Sequence, residues 1–150
     1  MQTFVPSECL LTNFLYIDNK RLGKQRVEAF QILNILLERT DRKGWRNHPA
    51  VLMWKGYENA LKYYFNLCVN EWISRGFKNT MKYETIEKSF NPNTDMPFWF
   101  GDERIHSSHR SALLSKNHEW YKKFNWKEKY SDTYDYYWPV TKDSQKLQLI

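Results

Sequence analysis

Apolar residues recur at helical spacing in three stretches of this chain, and no stretch alternates in the manner of a strand. Leu22, Ala29, Leu33, Leu36 and Leu37 mark the buried face of a first helix. It runs from a cap at Asp18 or Asn19 to about Arg39, and Gly44 breaks the pattern that follows. Leu52, Leu61, Tyr64, Phe65, Cys68 and Trp72 predict a longer second helix, with Pro49 in its first turn and Gly76 after its end at Arg75. Unbroken, that helix would span roughly 40 Å. Asp102 is placed to cap a third helix over about Glu103–Asn117.

The remaining segments are irregular. Residues 1–17 show no usable period, and residues 77–101 read as a loop with one short helix at Tyr83–Lys88. Trp120, Tyr121, Phe124, Trp126 and the tyrosines at 130, 134, 136 and 137 form an aromatic C-terminal segment. With no repeat and no linker, the expected organisation is one compact all-α domain over residues 1–140, built on three main helices. Residues 141–150 are expected to form a disordered tail.

Composition narrows the function. The 23 Lys and Arg exceed the 17 Asp and Glu by 6, which favours a polyanionic partner. Aromatic residues make up 17% of the chain; most belong in a core, but their faces also suit unstacked bases. Cys9 and Cys68 form neither a paired-thiol motif nor a zinc spacing, and no apolar run reaches membrane-spanning length. A soluble, intracellular (cytoplasmic) protein with no metal and no cofactor is expected. Phosphate loops, dinucleotide fingerprints and nucleophile elbows are all missing, so any nucleophile must come from an ordinary side chain or from the amino terminus.

Candidate chemistry falls in three places. Arg21, Lys24, Gln25, Glu28 and Gln31 share one face of the first helix, with Arg26 just off it. Cations there would grip phosphates on either side of the lone carboxylate; the competing reading is a plain Lys24–Glu28 ion pair. Trp45-Arg46-Asn47-His48-Pro49 puts Arg46, Asn47 and His48 at a helix start, either as an anion site or as caps, with Asn47 favoured for capping. His106, His109, Arg110 and Leu113 share a face of the third helix, where the first three form either a phosphate-contacting surface or a buried, hydrogen-bonded set. The two histidines find no third ligand at a metal-binding spacing.

The run Asn19-Lys20-Arg21-Leu22-Gly23-Lys24-Gln25-Arg26-Val27-Glu28 resembles the endonuclease V type of pyrimidine-dimer DNA glycosylase/AP lyase. So do Trp72–Phe77, Asp95–Leu113 and Trp120-Tyr121-Lys122, in the same order. The resemblance spans about Asp18 to Phe124, and its strength lies in order and spacing. It implies an all-α monomer that works without metal, kinks duplex DNA at a dimer and attacks the sugar C1′ with an N-terminal α-amine. An imine forms, and β-elimination then nicks the strand. Glu28 matches the family's essential glutamate.

The amine would be that of Met1, or of Gln2 if Met1 is removed; a residue as bulky as Gln2 normally blocks such trimming. Arg21 stands where the family has a histidine, and Gln31 where it has an arginine. An α-amine, as a class, titrates roughly two units below a lysine side chain, which suits it to nucleophilic work near neutrality. Arg21, Lys24, Arg26, Arg46, Asn47, His48, His106, His109, Arg110, Trp120 and Tyr121 are the expected DNA contacts. The reading is thus a glycosylase, with AP lyase activity, acting on pyrimidine dimers or another damaged base in double-stranded DNA. A catalytically silent DNA-binding module is the alternative, and an RNA- or protein-binding helical domain a more distant one.

Overall fold

A computed structural model describes residues 1–42 and 44–141. Among these it contains six α-helices: α1 (Leu10–Tyr16), α2 (Asn19–Leu36), α3 (Pro49–Leu52), α4 (Glu58–Ser74), α5 (Glu103–Lys116) and α6 (His118–Tyr121). A 3₁₀ turn follows at Lys122–Phe124. The long helices α2, α4 and α5 are the three that periodicity predicts. The expected tail lies outside the described residues, apart from Thr141.

The helix starts and stops follow local chemistry, with corrections. Asp102 caps α5 through its side chain, which accepts from the Arg104 N–H at 3.0 Å. His48, rather than Asn47, caps α3 by accepting from the Ala50 N–H at 3.0 Å. Asp18 precedes α2 but does not cap it with its side chain. Its carboxylate instead receives the Tyr121 hydroxyl at 2.5 Å and Arg21 at 3.1 Å.

The expected 40 Å helix is broken. Between α3 and α4 the chain turns at Gly56, whose φ of 87° is left-handed and suits a residue without Cβ. The turn drops Trp54 into the core, where its Nε1 donates to the Thr3 hydroxyl at 2.9 Å. Residues 83–88 are not helical either. Asn66 on α4 pairs with both the N–H and the C=O of Glu84, at 2.9 and 3.0 Å, and so holds that segment extended against the helix. Helix α1 has no counterpart among the expected elements; it is too short to show a period.

Helix α2 packs chiefly on α4. Leu22, Ala29, Ile32 and Leu33 meet Leu61, Phe65 and Cys68 in one buried cluster. The amino-terminal segment then runs through this core rather than over it. Gln2, Thr3, Phe4, Val5 and Pro6 are all buried.

Candidate active site

Helix α2 presents Lys20, Arg21, Lys24, Gln25 and Glu28 to a cleft of about 340 Å³. Met1, Gln2, Phe4, Lys116, Tyr134 and Tyr136 complete its lining. The amino end of the chain and Glu28 therefore line the same depression, with four cationic side chains around it. Met1 also lines an adjoining hollow of about 250 Å³ with Gln31, Asn34, Arg42 and Trp45. Thr40, Ile35 and Arg42 connect that hollow to a wider groove holding Arg46 and Asn47. Met1 thus borders both the Glu28 cleft and the hollow that leads to this groove.

Glu28 is half-buried and, among the described residues, makes no ion pair, so the Lys24–Glu28 bridge does not form. Its Oε2 accepts from Gln25 Nε2 at 3.0 Å. Gln25 Oε1 in turn accepts from the Phe4 N–H at 2.8 Å and lies 2.8 Å from the Tyr64 hydroxyl. The nearby charges register on their neighbours. Burial first, and Glu28 among lesser causes, pushes the Tyr64 and Tyr136 phenols up. Lys116, hydrogen-bonded beside it, draws the Tyr134 phenol down. His48 is lowered by burial and then by the positive charge of the amino terminus.

The amino-terminal segment is fixed almost entirely by side chains. The Phe4 carbonyl accepts from Asn13 at 3.1 Å and from Tyr64 at 2.9 Å, and Asn13 Oδ1 receives the Ser7 N–H at 3.1 Å. His109 Nδ1 accepts from the Val5 N–H at 2.9 Å, His106 Nδ1 donates to the Val5 carbonyl at 2.7 Å, and Arg110 Nη1 donates to that of Pro6 at 2.8 Å.

Several expected DNA contacts are therefore turned inward. His106 and His109 are 0% exposed and cannot touch a phosphate in this fold. Arg110 is engaged by Glu128 and Glu103 as well as Pro6. Tyr121 is buried against Asp18, and the Trp120 indole donates to the Tyr16 carbonyl at 2.7 Å. Arg26 leaves the cleft to lie over the Trp72 ring at 4.3 Å and bond Asn79. Arg21 and Lys24 reach the cleft, while exposed Arg46 and Asn47 face the adjoining groove. Lys20, Lys116, Tyr134 and Tyr136 join the site unannounced. Lys20 could have been found beside Arg21 and Lys116 at the end of the third helix, but the two tyrosines come from a segment whose docking leaves no sequence period.

A family model described as pyrimidine dimer DNA glycosylase matches residues 1–85. The chain belongs to this family. No curated protein and no solved structure gives a match. The matched span contains the amino terminus, Glu28 and the α2–α4 pair; α5 and the aromatic segment lie outside it. Membership makes this a DNA-repair glycosylase by family, with DNA as the substrate. No helix among the described residues is long and apolar enough to cross a membrane.

Proposed function

We propose that this chain excises a damaged base, a pyrimidine dimer in the first instance, from duplex DNA and then nicks the strand. The amino-terminal amine is the nucleophile, Glu28 shuttles the proton, and the protein acts as a monomer. The observation that carries this reading is the shared cleft of Met1 and an unpaired Glu28 inside a ring of cations. Lys20, Arg21, Lys24 and Lys116 supply phosphate contacts around the reacting sugar. Arg46 and Asn47, in the neighbouring groove, offer further contacts to the strand. Tyr134 and Tyr136 offer aromatic faces to an unstacked base.

The amine lone pair forms a bond to C1′ as the C1′–base bond breaks, and the base leaves with the electron pair and takes up a proton. Glu28 receives the proton the amine sheds and returns it to O4′ as the sugar ring opens, leaving an iminium at C1′. Its negative charge also stabilises the positive charge that gathers at the anomeric carbon. Loss of a C2′ proton then drives electrons toward the iminium and expels the 3′-phosphate. Water hydrolyses the imine and frees the amine. We assign the amine of Met1, which packs on the core; Gln2 lines the same cleft and would present its own amine there were Met1 removed.

Borohydride trapping on UV-irradiated duplex DNA tests this reading. The wild type should give a covalent adduct that maps to Met1 by mass, and Glu28→Gln should slow adduct formation by roughly 10³-fold while still binding DNA. Salt-sensitive DNA binding by a wild type that never yields adduct or free base would leave a silent binding module instead.

A further inference from the structure

We propose that His106, His109 and Arg110 are positioning residues of this reaction: they grip the backbone at Val5 and Pro6 and thereby set where the amine stands over Glu28. The proposal rests on the amine being the nucleophile. These side chains stand at i, i+3 and i+4 on α5, within about one helical turn, and so share a face. All three lie beyond the part of the chain that the family model matches.

The two histidines hold a single residue through opposite tautomers. His106 carries its proton on Nδ1, which donates to the Val5 carbonyl at 2.7 Å, because its Nε2 accepts from the Gly101 N–H at 3.0 Å. His109 receives the Val5 N–H on Nδ1 at 2.9 Å and so carries its proton on Nε2. That Nε2–H is buried and has no hydrogen-bond partner. A buried orphan donor is a standing cost, but an apolar residue here would orphan the buried Val5 N–H in its place. The histidine gains in exchange an acceptor for Val5.

Arg110 is itself held rigid by Glu128, with Nε to Oε1 at 2.8 Å and Nη2 to Oε2 at 3.0 Å, before its Nη1 reaches Pro6. Both polar groups of Val5 and the carbonyl of Pro6 are thus referred to one helix. From that anchor the chain runs four residues to Met1, and on the way the Phe4 N–H binds Gln25, which holds Glu28. A shift at Val5 therefore moves the nucleophile and disturbs its carboxylate partner. Misplacement of a reacting group by an ångström costs on the order of 10²-fold in rate.

The test compares His109→Leu with His109→Asn and His106→Leu with His106→Asn. Asn Oδ1 can replace the Nδ1 acceptor at 109, and Asn Nδ2 the Nδ1 donor at 106. Arg110→Lys serves as a third variant that keeps the charge at a partly exposed position and loses the fork. The full chain is used, with single-turnover borohydride trapping, duplex affinity and melting temperature as readouts. Folded Leu variants should trap roughly 10- to 100-fold more slowly with duplex affinity nearly unchanged, Asn should restore most of the rate, and Arg110→Lys should fall between. Should the Leu variants fail to fold, a trapping defect in Arg110→Lys supports the proposal, and wild-type trapping by that variant overturns it. Parallel loss of binding and trapping, or full trapping by folded Leu variants, overturns it while leaving the amine as nucleophile. Absence of adduct in the wild type removes both readings together.

Discussion

The Gln25 side-chain amide has three partners, the Phe4 N–H, the Tyr64 hydroxyl and the Glu28 carboxylate, and it is 1% exposed. Replacing it by Met keeps its length and removes every bond. The Phe4 N–H is then left buried without an acceptor, which costs about 1–3 kcal/mol. Glu28 also loses the donor that aims it. Gln25→Met should therefore lower unfolding free energy in urea by that amount and slow borohydride trapping by roughly 10-fold. A stable variant with normal trapping would mean that Gln25 neither holds the segment nor aims the acid. Helical spacing put Gln25 on the same stripe as Arg21, Lys24 and Glu28. It did not say which edge of the stripe turns inward, since an amide serves either side. For His106 and His109 a signal was available: Leu113 shares their face, and an apolar residue one turn on marks it as the buried one.

At the scale of elements, α2 and α4 were legible because each carries an apolar face that recurs every turn. Two places where the reading failed have local causes. Gly56 breaks the long helix, and an isolated glycine in a helical pattern is easily read as tolerated. Residues 83–88 are recruited by Asn66 and Lys62 on the flank of α4, a tertiary bond that no local propensity encodes. The α2–α4 crossing depends on Gly23. A Cβ there would stand 3.0 Å from two carbons of the Trp72 ring. That ring cannot easily yield, since it stacks on Phe77 at 4.3 Å, lies under Arg26 and donates to the Lys78 carbonyl at 2.9 Å. Alanine in a helix gains about 1 kcal/mol over glycine, whereas overpacking costs about 1–3 kcal/mol. Gly23→Ala should be destabilising by about 1 kcal/mol in chemical denaturation. A gain in stability would show that the ring shifts freely and that the crossing is loose.

Over the whole molecule, the amino-terminal segment and the aromatic C-terminal segment close on each other across α5. Tyr136 meets both Phe4 and His109, and the Ser108 hydroxyl receives the Tyr137 N–H at 3.2 Å. Much of the aromatic excess is spent in this closure, and only Tyr134 and Tyr136 among that segment's tyrosines line the cleft. The closure makes stability depend on pH in a definite direction. Burial, with the nearby His106 and Arg110 adding to it, depresses His109 to about 3, against about 6.5 for a free histidine. Between those values the unfolded chain binds a proton that the folded chain refuses, so stability rises with pH and is lost as pH falls from about 6.5 toward 3. His106 is lowered by burial too and acts in the same sense. Glu128, held down by Arg110 and Ser107, adds its own loss as pH falls from the ordinary carboxylate range downward. Urea unfolding between pH 4.5 and 7.5 should therefore show a rising free energy in the wild type and a visibly flatter one in His109→Asn, which keeps the acceptor for Val5 but cannot titrate. Equal slopes would show that residue 109 takes up its proton without disturbing the fold, and the buried neutral ring facing Val5 would have to be abandoned.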